Sequence, residues 1–398
     1  MPGHEQPPLN RRSAAVALAG FATFINLYTP QSVLPQIAET FGVDDAHTGR
    51  TVTAALVAVA LVAPFAGTIS DRVGRKALIA GACLLLSVPT LLVAGAQSLE
   101  ALLAWRFLQG LLLPFIFTVT VAYLGEEVQG PEALRLAGLY SIGCILGGFG
   151  GRFVAGIAAE LAGWRAGFVA IGLFTLAAGV AVALLLPRER LFRPARGGLR
   201  AQLATWRNHL GNARLMATCG IGFLMLGSNV AVYTFVNLYL SAPPFSLNPT
   251  ATNFVFAVYL VGAGTTALAT WLAIRLGRRA TVQIAAALAA GGLALTLVPS
   301  LAAVVAGLAM VSGGLLVVQT LSLGFIGVAV THGRSAAVGL YVTVYYVGGA
   351  LGGVLPAPVW QDAGWPGVVA LVLPALALLA ALGWRFWPGV AASGSTGR

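Results

Sequence analysis

Gly67-Thr68-Ile69-Ser70-Asp71-Arg72-Val73-Gly74-Arg75-Lys76 sits between two long apolar runs, residues 51–69 and 77–96. Charge is scarce in this chain, at 9% Asp, Glu, Lys and Arg, yet four charged side chains fall within six positions here. Each residue type suits a tight connection between two membrane spans. Gly67 removes a side chain where a neighbouring helix can come close. Asp71 ends the first run, where a carboxylate can face the positive N-terminal end of another helix. Gly74 allows the turn, and Arg75 and Lys76 hold the loop on the cytoplasmic side. The plainer alternative is a basic loop with an isolated Asp.

The rest of the chain agrees with a membrane setting. It is 58% hydrophobic with a mean hydropathy of +0.87, against about 45–50% apolar in soluble domains. A membrane span needs about 20 apolar residues. Twelve such runs are present: 13–35, 49–70, 77–96, 101–124, 134–158, 165–187, 214–241, 251–274, 280–298, 302–330, 335–359 and 366–387. They leave no room for a soluble domain, and the one long connection is 187–213. With the N-terminus inside, 19 of the 23 Lys and Arg residues fall in cytoplasmic segments. Arg50 and Arg165 fall outside, while Arg106 and Arg152 lie within runs. This asymmetry predicts a multi-pass protein with both termini cytoplasmic. The net charge of +11 is then topology, and nucleic acid is not an expected partner. The first run is too long for a signal-peptide core and is read as retained. Cys83, Cys144 and Cys219 fall in runs without metal-ligand spacing and read as packing residues. No cofactor or metal is expected, and no phosphate-binding loop of the Walker type is present to suggest ATP drive.

The second half echoes the first. Gly138-Leu139-Tyr140, Gly147-Gly148, Gly151 and Gly163-Trp164 recur as Gly339-Leu340-Tyr341, Gly348-Gly349, Gly352 and Gly364-Trp365, eight identities at one offset of 201. Arg72-Val73-Gly74-Arg75-Lys76 is echoed by Arg275-Leu276-Gly277-Arg278-Arg279 at offset 203. The pattern predicts two six-span halves, 1–187 and 214–398, joined by a cytoplasmic linker, 188–213. Such repeats are a transporter architecture, with the substrate site expected where the halves meet.

Gly67-x-x-x-Asp71-Arg72-x-Gly74-Arg75-Lys76 resembles in full the loop 2–3 signature of the major facilitator superfamily, and Arg106-x-x-Gln109-Gly110 resembles its span-4 signature. Tyr28-Thr29-Pro30-Gln31, Leu34-Pro35 and Ala242-Pro243-Pro244-Phe245-Ser246-Leu247 resemble the bacterial drug and sugar efflux branch, with arabinose-efflux-permease-like proteins nearest. The resemblance covers essentially the whole chain. It implies an all-α membrane protein of twelve transmembrane helices in two pseudo-symmetric halves. It also implies a monomeric secondary transporter of the inner membrane, not an enzyme, that exports drug-like, sugar or organic-acid molecules by alternating access, with proton antiport as a drive. By the same resemblance Asp71 caps the start of span 11 near Ser335, and Arg75 pairs with an acid ending span 4, here assigned to Glu126. These contacts, with Gly67, Arg72, Gly74 and Lys76, would latch the cytoplasmic face. The second-half copy has Ile274 in place of the Asp, which makes the latch one-sided. Two departures bear on coupling: Arg152 stands where the branch has the Pro of a span-5 Gly-Pro pair, and Asn26 where many exporters keep a carboxylate.

Substrate-facing candidates come from helical periodicity. Phe24, Tyr28 and Gln31 share one face of span 1, Asn229, Tyr233 and Asn237 one face of span 7. Ser312 and Gln319 are seven apart on span 10, and Tyr341 and Tyr345 share the glycine face of span 11. Each is either a cavity lining or an interhelical hydrogen-bonding group. The glycine faces of spans 5 and 11 are expected to serve close helix contact and sliding of the halves. Arg106, with Gln109 beside it, and Arg152 either face a central cavity or snorkel outward to Glu100 and Glu160. No acidic residue lies at mid-membrane. A proton would therefore enter through Glu39, Asp44 or Asp45, or travel on the substrate, or play no part. The rival readings are an uptake symporter or facilitator for a sugar or organic acid, and a membrane enzyme or sensor.

Overall fold

The computed structural model describes residues 9–190, 206–330 and 332–388, and every regular element among them is helical. In chain order these are α1 (Leu9–Leu27), α2 (Leu34–Phe41), α3 (Arg50–Val73), α4 (Arg75–Ala94), α5 (Leu99–Glu127), α6 (Gly130–Ala162), α7 (Trp164–Leu185), α8 (Ala213–Ser241), α9 (Pro249–Val255), α10 (Val258–Leu295), α11 (Leu301–Ala329), α12 (Arg334–Gly352) and α13 (Pro356–Phe386). Eight stretches, lying on α3 to α8, α11 and α13, are long and apolar enough to cross a membrane. The other four runs fall on shorter, broken or joined helices, so the expected twelve fits this set.

The breaks have local causes. Gly74 (φ 99) separates α3 from α4, and Gly163 (φ 82) separates α6 from α7. Positive φ of this kind is readily adopted by glycine alone. The same turn recurs at the sequence offsets, with Gly277 (φ 79) interrupting α10 and Gly364 (φ 59) interrupting α13. The run 13–35 differs from expectation in that it is not one continuous helix. Helix α1 stops at Leu27, a short 3-10 turn covers Thr29–Ser32, and α2 follows. Pro30 is the reason, because it has no N–H to offer the carbonyl of Asn26 four residues back.

The chain forms two compact units. Unit 1 is Met1–Ala201 with Asn237–Ala257, and unit 2 is Gln202–Val236 with Val258–Arg398. In unit 1, α1 packs on α6 and α7, α3 on α5, and α4 on α5 and α7. A core of Ile25, Val33, Ile37, Val93, Leu102, Trp164, Phe168 and Ile171 lies under the broken end of α1. The α1–α6 contact is backbone against backbone. A Cβ on Gly143, Gly147 or Gly151 would run into the carbonyl oxygens of Ala17, Phe21 and Ile25. In unit 2 the equivalent glycines of α12, Gly348 and Gly352, lie against the carbonyls of Phe223 and Gly227 on α8. Both glycine faces are thus filled from within their own unit. Small residues let apolar helices gain dispersion contact where burial from water is not available as a driving force.

Candidate functional site

Three polar clusters stand out in unit 1. The first lies at the broken end of α1. Arg106 of α5 is fully buried. Its Nη1 donates to the carbonyl of Asn26 (2.8 Å) and to Gln109 Oε1 (2.5 Å), its Nη2 to the carbonyl of Leu27 (2.6 Å), and its Nε to that of Thr51 (3.0 Å). Neither Glu100 nor Glu160 is among these partners. The guanidinium instead closes the C-terminal end of α1, where the helix dipole places partial negative charge. Gln109 Nε2 continues the chain to Thr90 Oγ1 (2.7 Å), and Thr90 Oγ1 donates to Asn26 Oδ1 (2.6 Å). Asn26 Nδ2 donates to Thr175 Oγ1 and the Ala22 carbonyl, both at 2.8 Å. The amide at position 26 is used as donor and acceptor at once, which an ionised carboxylate cannot be.

The second cluster is built around Arg152 of α6, also buried. Its Nε and Nη2 donate to Gln31 Oε1 at 3.0 and 2.5 Å, and its Nη1 to the carbonyl of Gly148 at 2.7 Å. The guanidinium carbon lies 4.8 Å from the centre of the Tyr28 ring and 5.2 Å from that of Phe256, within the range of cation–π attraction. Asn237 Nδ2 donates to the backbone carbonyl of Gln31. The segment 237–257 continues this contact along α6. Phe254 meets Phe153 edge-on at 5.2 Å, Asn253 fills the space beside Gly156, and Asn248 Nδ2 donates to Glu160 Oε1 at 3.4 Å.

The third cluster is the stretch Gly67–Lys76, which is the last turns of α3, the single turn residue Gly74 and the first residues of α4. Arg75 pairs with Glu126 as a fork, Nε to Oε2 at 3.0 Å and Nη2 to Oε1 at 2.6 Å, and with Asp71 Oδ1 at 2.5 Å. Its Nη1 donates to Ser70 Oγ and, at 3.5 Å, to the Gly67 carbonyl. Glu189 accepts from the backbone N–H groups of Arg75 (3.0 Å) and Lys76 (3.2 Å), so its carboxylate caps the first turn of α4. Gly74 is needed twice here, for its φ and because a Cβ would come 2.5 Å from Glu189 Oε1. Nothing lies within 4 Å of a Cβ built at Gly67, so the close helix approach expected there is not what this glycine provides; its carbonyl is used instead. Arg72 is exposed. The side chain of Ser335 lies outside the described residues.

In unit 2, Tyr259 donates to Asn229 Oδ1 (2.9 Å) and packs on Tyr233 at 4.4 Å, and the Tyr233 hydroxyl donates to the Leu308 carbonyl (2.9 Å). Gln319 Nε2 donates to the Tyr345 hydroxyl at 2.9 Å, and Tyr345 stacks on Tyr341 at 5.7 Å. Among the described residues, the buried hydroxyls of Ser228 and Ser312 have no hydrogen-bond partner. Among the described residues no group of His, Cys, Asp and Glu is arranged to hold a metal ion.

Sequence reasoning passed over Thr90, Thr175, Glu189, Asn253, Phe256 and Tyr259. The one usable signal was Glu189, an acid in the otherwise basic stretch Pro187-Arg188-Glu189-Arg190.

Long apolar helices around buried polar clusters, with the turn glycines repeated in each half, define a multi-pass membrane protein. The chain belongs to the Major Facilitator Superfamily, whose profile matches residues 16–353. It is 30% identical over 379 residues to the inner membrane transport protein YnfM of Escherichia coli (strain K12), covering 95% of this chain and 91% of that one. It is 30% identical over 368 residues to the MFS-type transporter YybF of Bacillus subtilis (strain 168), covering 92% and 91%. Among solved structures, a point mutant of the nucleoside transporter NupG superposes with a TM-score of 0.75 at 15% identity, over 96% of this chain and all of that one. These relationships point to transport rather than catalysis.

Proposed function

We propose that the protein is a secondary transporter that exports small organic molecules across the inner membrane by alternating access, with proton antiport as the drive, and that organic anions of mixed polar and apolar character are its preferred cargo. The observation that carries the reading is Arg152, held between the rings of Tyr28 and Phe256 with Gln31 as its polar partner. A guanidinium beside aromatic faces can exchange an amide partner for a carboxylate while the rings take the apolar body of the molecule. The break in α1 places Tyr28 and Gln31 at that point, and the segment 237–257 closes over it through Asn237, Asn253, Phe254 and Phe256. Opening one side of the site therefore means parting this segment from α6 and the 3-10 turn Thr29–Ser32. The Arg75–Glu126–Asp71 cluster is the corresponding latch at the other end of unit 1. On this reading both sets of contacts form in one state and part in the other, as a gate requires. Position 26 holds an amide that is fully engaged with Thr90 and Thr175, which favours a proton carried by the substrate over one held on span 1.

The test is flux in sealed vesicles. Purified protein is reconstituted, and movement of a panel of sugars, dyes and aromatic carboxylates is followed with and without a pH gradient. Gradient-dependent movement of the carboxylates, lost in Arg152→Gln, supports the reading. Carboxylate flux unchanged in Arg152→Gln removes the proposed site. Gradient-driven movement in the same direction as protons replaces export with uptake.

A further inference from the structure

The two copies of the loop that joins paired spans have diverged in a way that opens a cavity in unit 2. In unit 1 the guanidinium of Arg75 is bound by Asp71 and Glu126, with Ser70 and the Gly67 carbonyl completing its surroundings. At the repeat offset of 203, Gly67, Ser70, Asp71 and Arg75 become Thr270, Ala273, Ile274 and Arg278. These four residues line one half-open cavity of about 480 Å³, together with Thr320, Leu321 and Gly324 of α11 and Pro388. Both carboxylates are gone. Ile274 replaces the Asp, and the positions matching Glu126 at offsets of 201 to 203 are Gly327, Val328 and Ala329. Among the described residues no carboxylate pairs with Arg278; its guanidinium lies over the Phe325 ring at 5.6 Å. The neighbouring arginines are engaged elsewhere. Arg279 donates to the Trp387 carbonyl (3.2 Å) and lies 4.9 Å from the Trp384 ring, and Arg275 lies 4.5 Å from the Trp271 ring.

The cavity therefore keeps the cation of the first-half site, and space where that site holds two carboxylates. A guanidinium with open donors, at the end of two membrane helices, suits an oxyanion that offers two oxygens to its fork. The flanks are apolar and outward-facing: Ile274 is 79% exposed, and Trp271 and Leu323 are also exposed. That is the surrounding a lipid headgroup needs, with charge at the loop and hydrocarbon beside it.

We propose that the Arg278 cavity binds a phosphate group, presented either by an anionic phospholipid headgroup or by a soluble phosphate, in the place the first half fills with its own Asp71 and Glu126. The purified transporter is placed in nanodiscs of phosphatidylglycerol or phosphatidylcholine, and the phospholipid retained after mild delipidation is counted by native mass spectrometry. In parallel, thermal unfolding in detergent is followed with and without inorganic phosphate. The wild-type chain is expected to retain phosphatidylglycerol preferentially, and Arg278→Gln to weaken that retention about tenfold, the weight of one charge-assisted contact. Ile274→Asp, which returns the internal carboxylate to Arg278, should lower retention in the same direction. Arg275→Gln removes a charge from the same loop outside the cavity and should leave it unchanged. A lipid preference that depends on Arg278 identifies the headgroup. A stabilisation by inorganic phosphate that depends on Arg278, without lipid preference, identifies the soluble source. Arg278→Gln behaving as wild type in both measurements, or Arg275→Gln losing as much as Arg278→Gln, overturns the proposal.

Discussion

Replacing Arg106 by methionine keeps much of the length of the side chain and removes every donor. The consequence follows from the carbonyls it serves. In an unbroken helix the carbonyl of Asn26 would accept from the N–H of residue 30, but that residue is Pro30. The carbonyl of Leu27 would accept from the N–H of Gln31, but that N–H donates to the Tyr28 carbonyl at 3.1 Å. Both carbonyls thus depend on Arg106, at 2.8 and 2.6 Å. The Thr51 carbonyl, in the first turn of α3, retains its helical position and loses less. Two buried carbonyls left without donors cost about 2–6 kcal/mol, at ~1–3 kcal/mol each, and relief from burying the cation offsets part of this. Arg106→Met should therefore insert in the membrane yet lose transport and inactivate faster on heating in detergent. Arg106→Lys, which keeps the charge and up to three donors, should fall between it and the wild type. The assay is residual transport of reconstituted protein after timed incubation at rising temperature. A methionine variant with wild-type turnover and wild-type heat resistance would show that the end of α1 does not rely on this side chain.

Other outcomes follow from the same geometry. Cysteines at positions 153 and 254, whose native rings touch at 5.2 Å, should be bridged by a short thiol cross-linker with a cleavable disulfide spacer and transport arrested until a reductant is added; continued flux in the cross-linked protein would clear the segment 237–257 of any gating role. Glu189→Ala should leave the start of α4 uncapped and speed tryptic cleavage at Arg188 and Arg190, and an unchanged digestion pattern would mean that this strap does not hold the chain there. Gly147→Leu should fail to accumulate, because its Cβ meets the carbonyl of Phe21, while Gly81→Leu, with nothing within 4 Å of its Cβ, should accumulate normally. Equal yields of the two would deny that α1 and α6 need close approach.

What the sequence could reveal was set by the range of each interaction. Apolar run length and the placement of Arg and Lys are one-dimensional signals, and they led to a helical membrane protein. The turn at Gly74 was visible because its glycine and its neighbours recur at Gly277. The break after Leu27 was hidden, since Val33, Leu34 and Ile37 continue the apolar character past Pro30, and hydropathy does not register a missing N–H. The environment of Arg106 was hidden for a different reason. Its acceptors are mostly backbone carbonyls, which carry no residue-type signature, whereas Glu100 and Glu160 stand out in the sequence as acids. Glu189 was assigned to the linker because its role depends on the fold returning residue 189 to the start of α4, which no local pattern records.

The unfinished end of α1 has an electrical meaning. A helix terminus contributes about half a negative elementary charge, and Arg106 sets a full positive charge against it in a region of low dielectric. The sum leaves the buried end of α1 with a net positive charge. A cation entering nearby moves uphill and an anion downhill, whatever their shapes. A voltage across the bilayer acts on that charge as well, so any change of conformer that carries Arg106 along the field should respond to membrane potential even when the cargo is neutral.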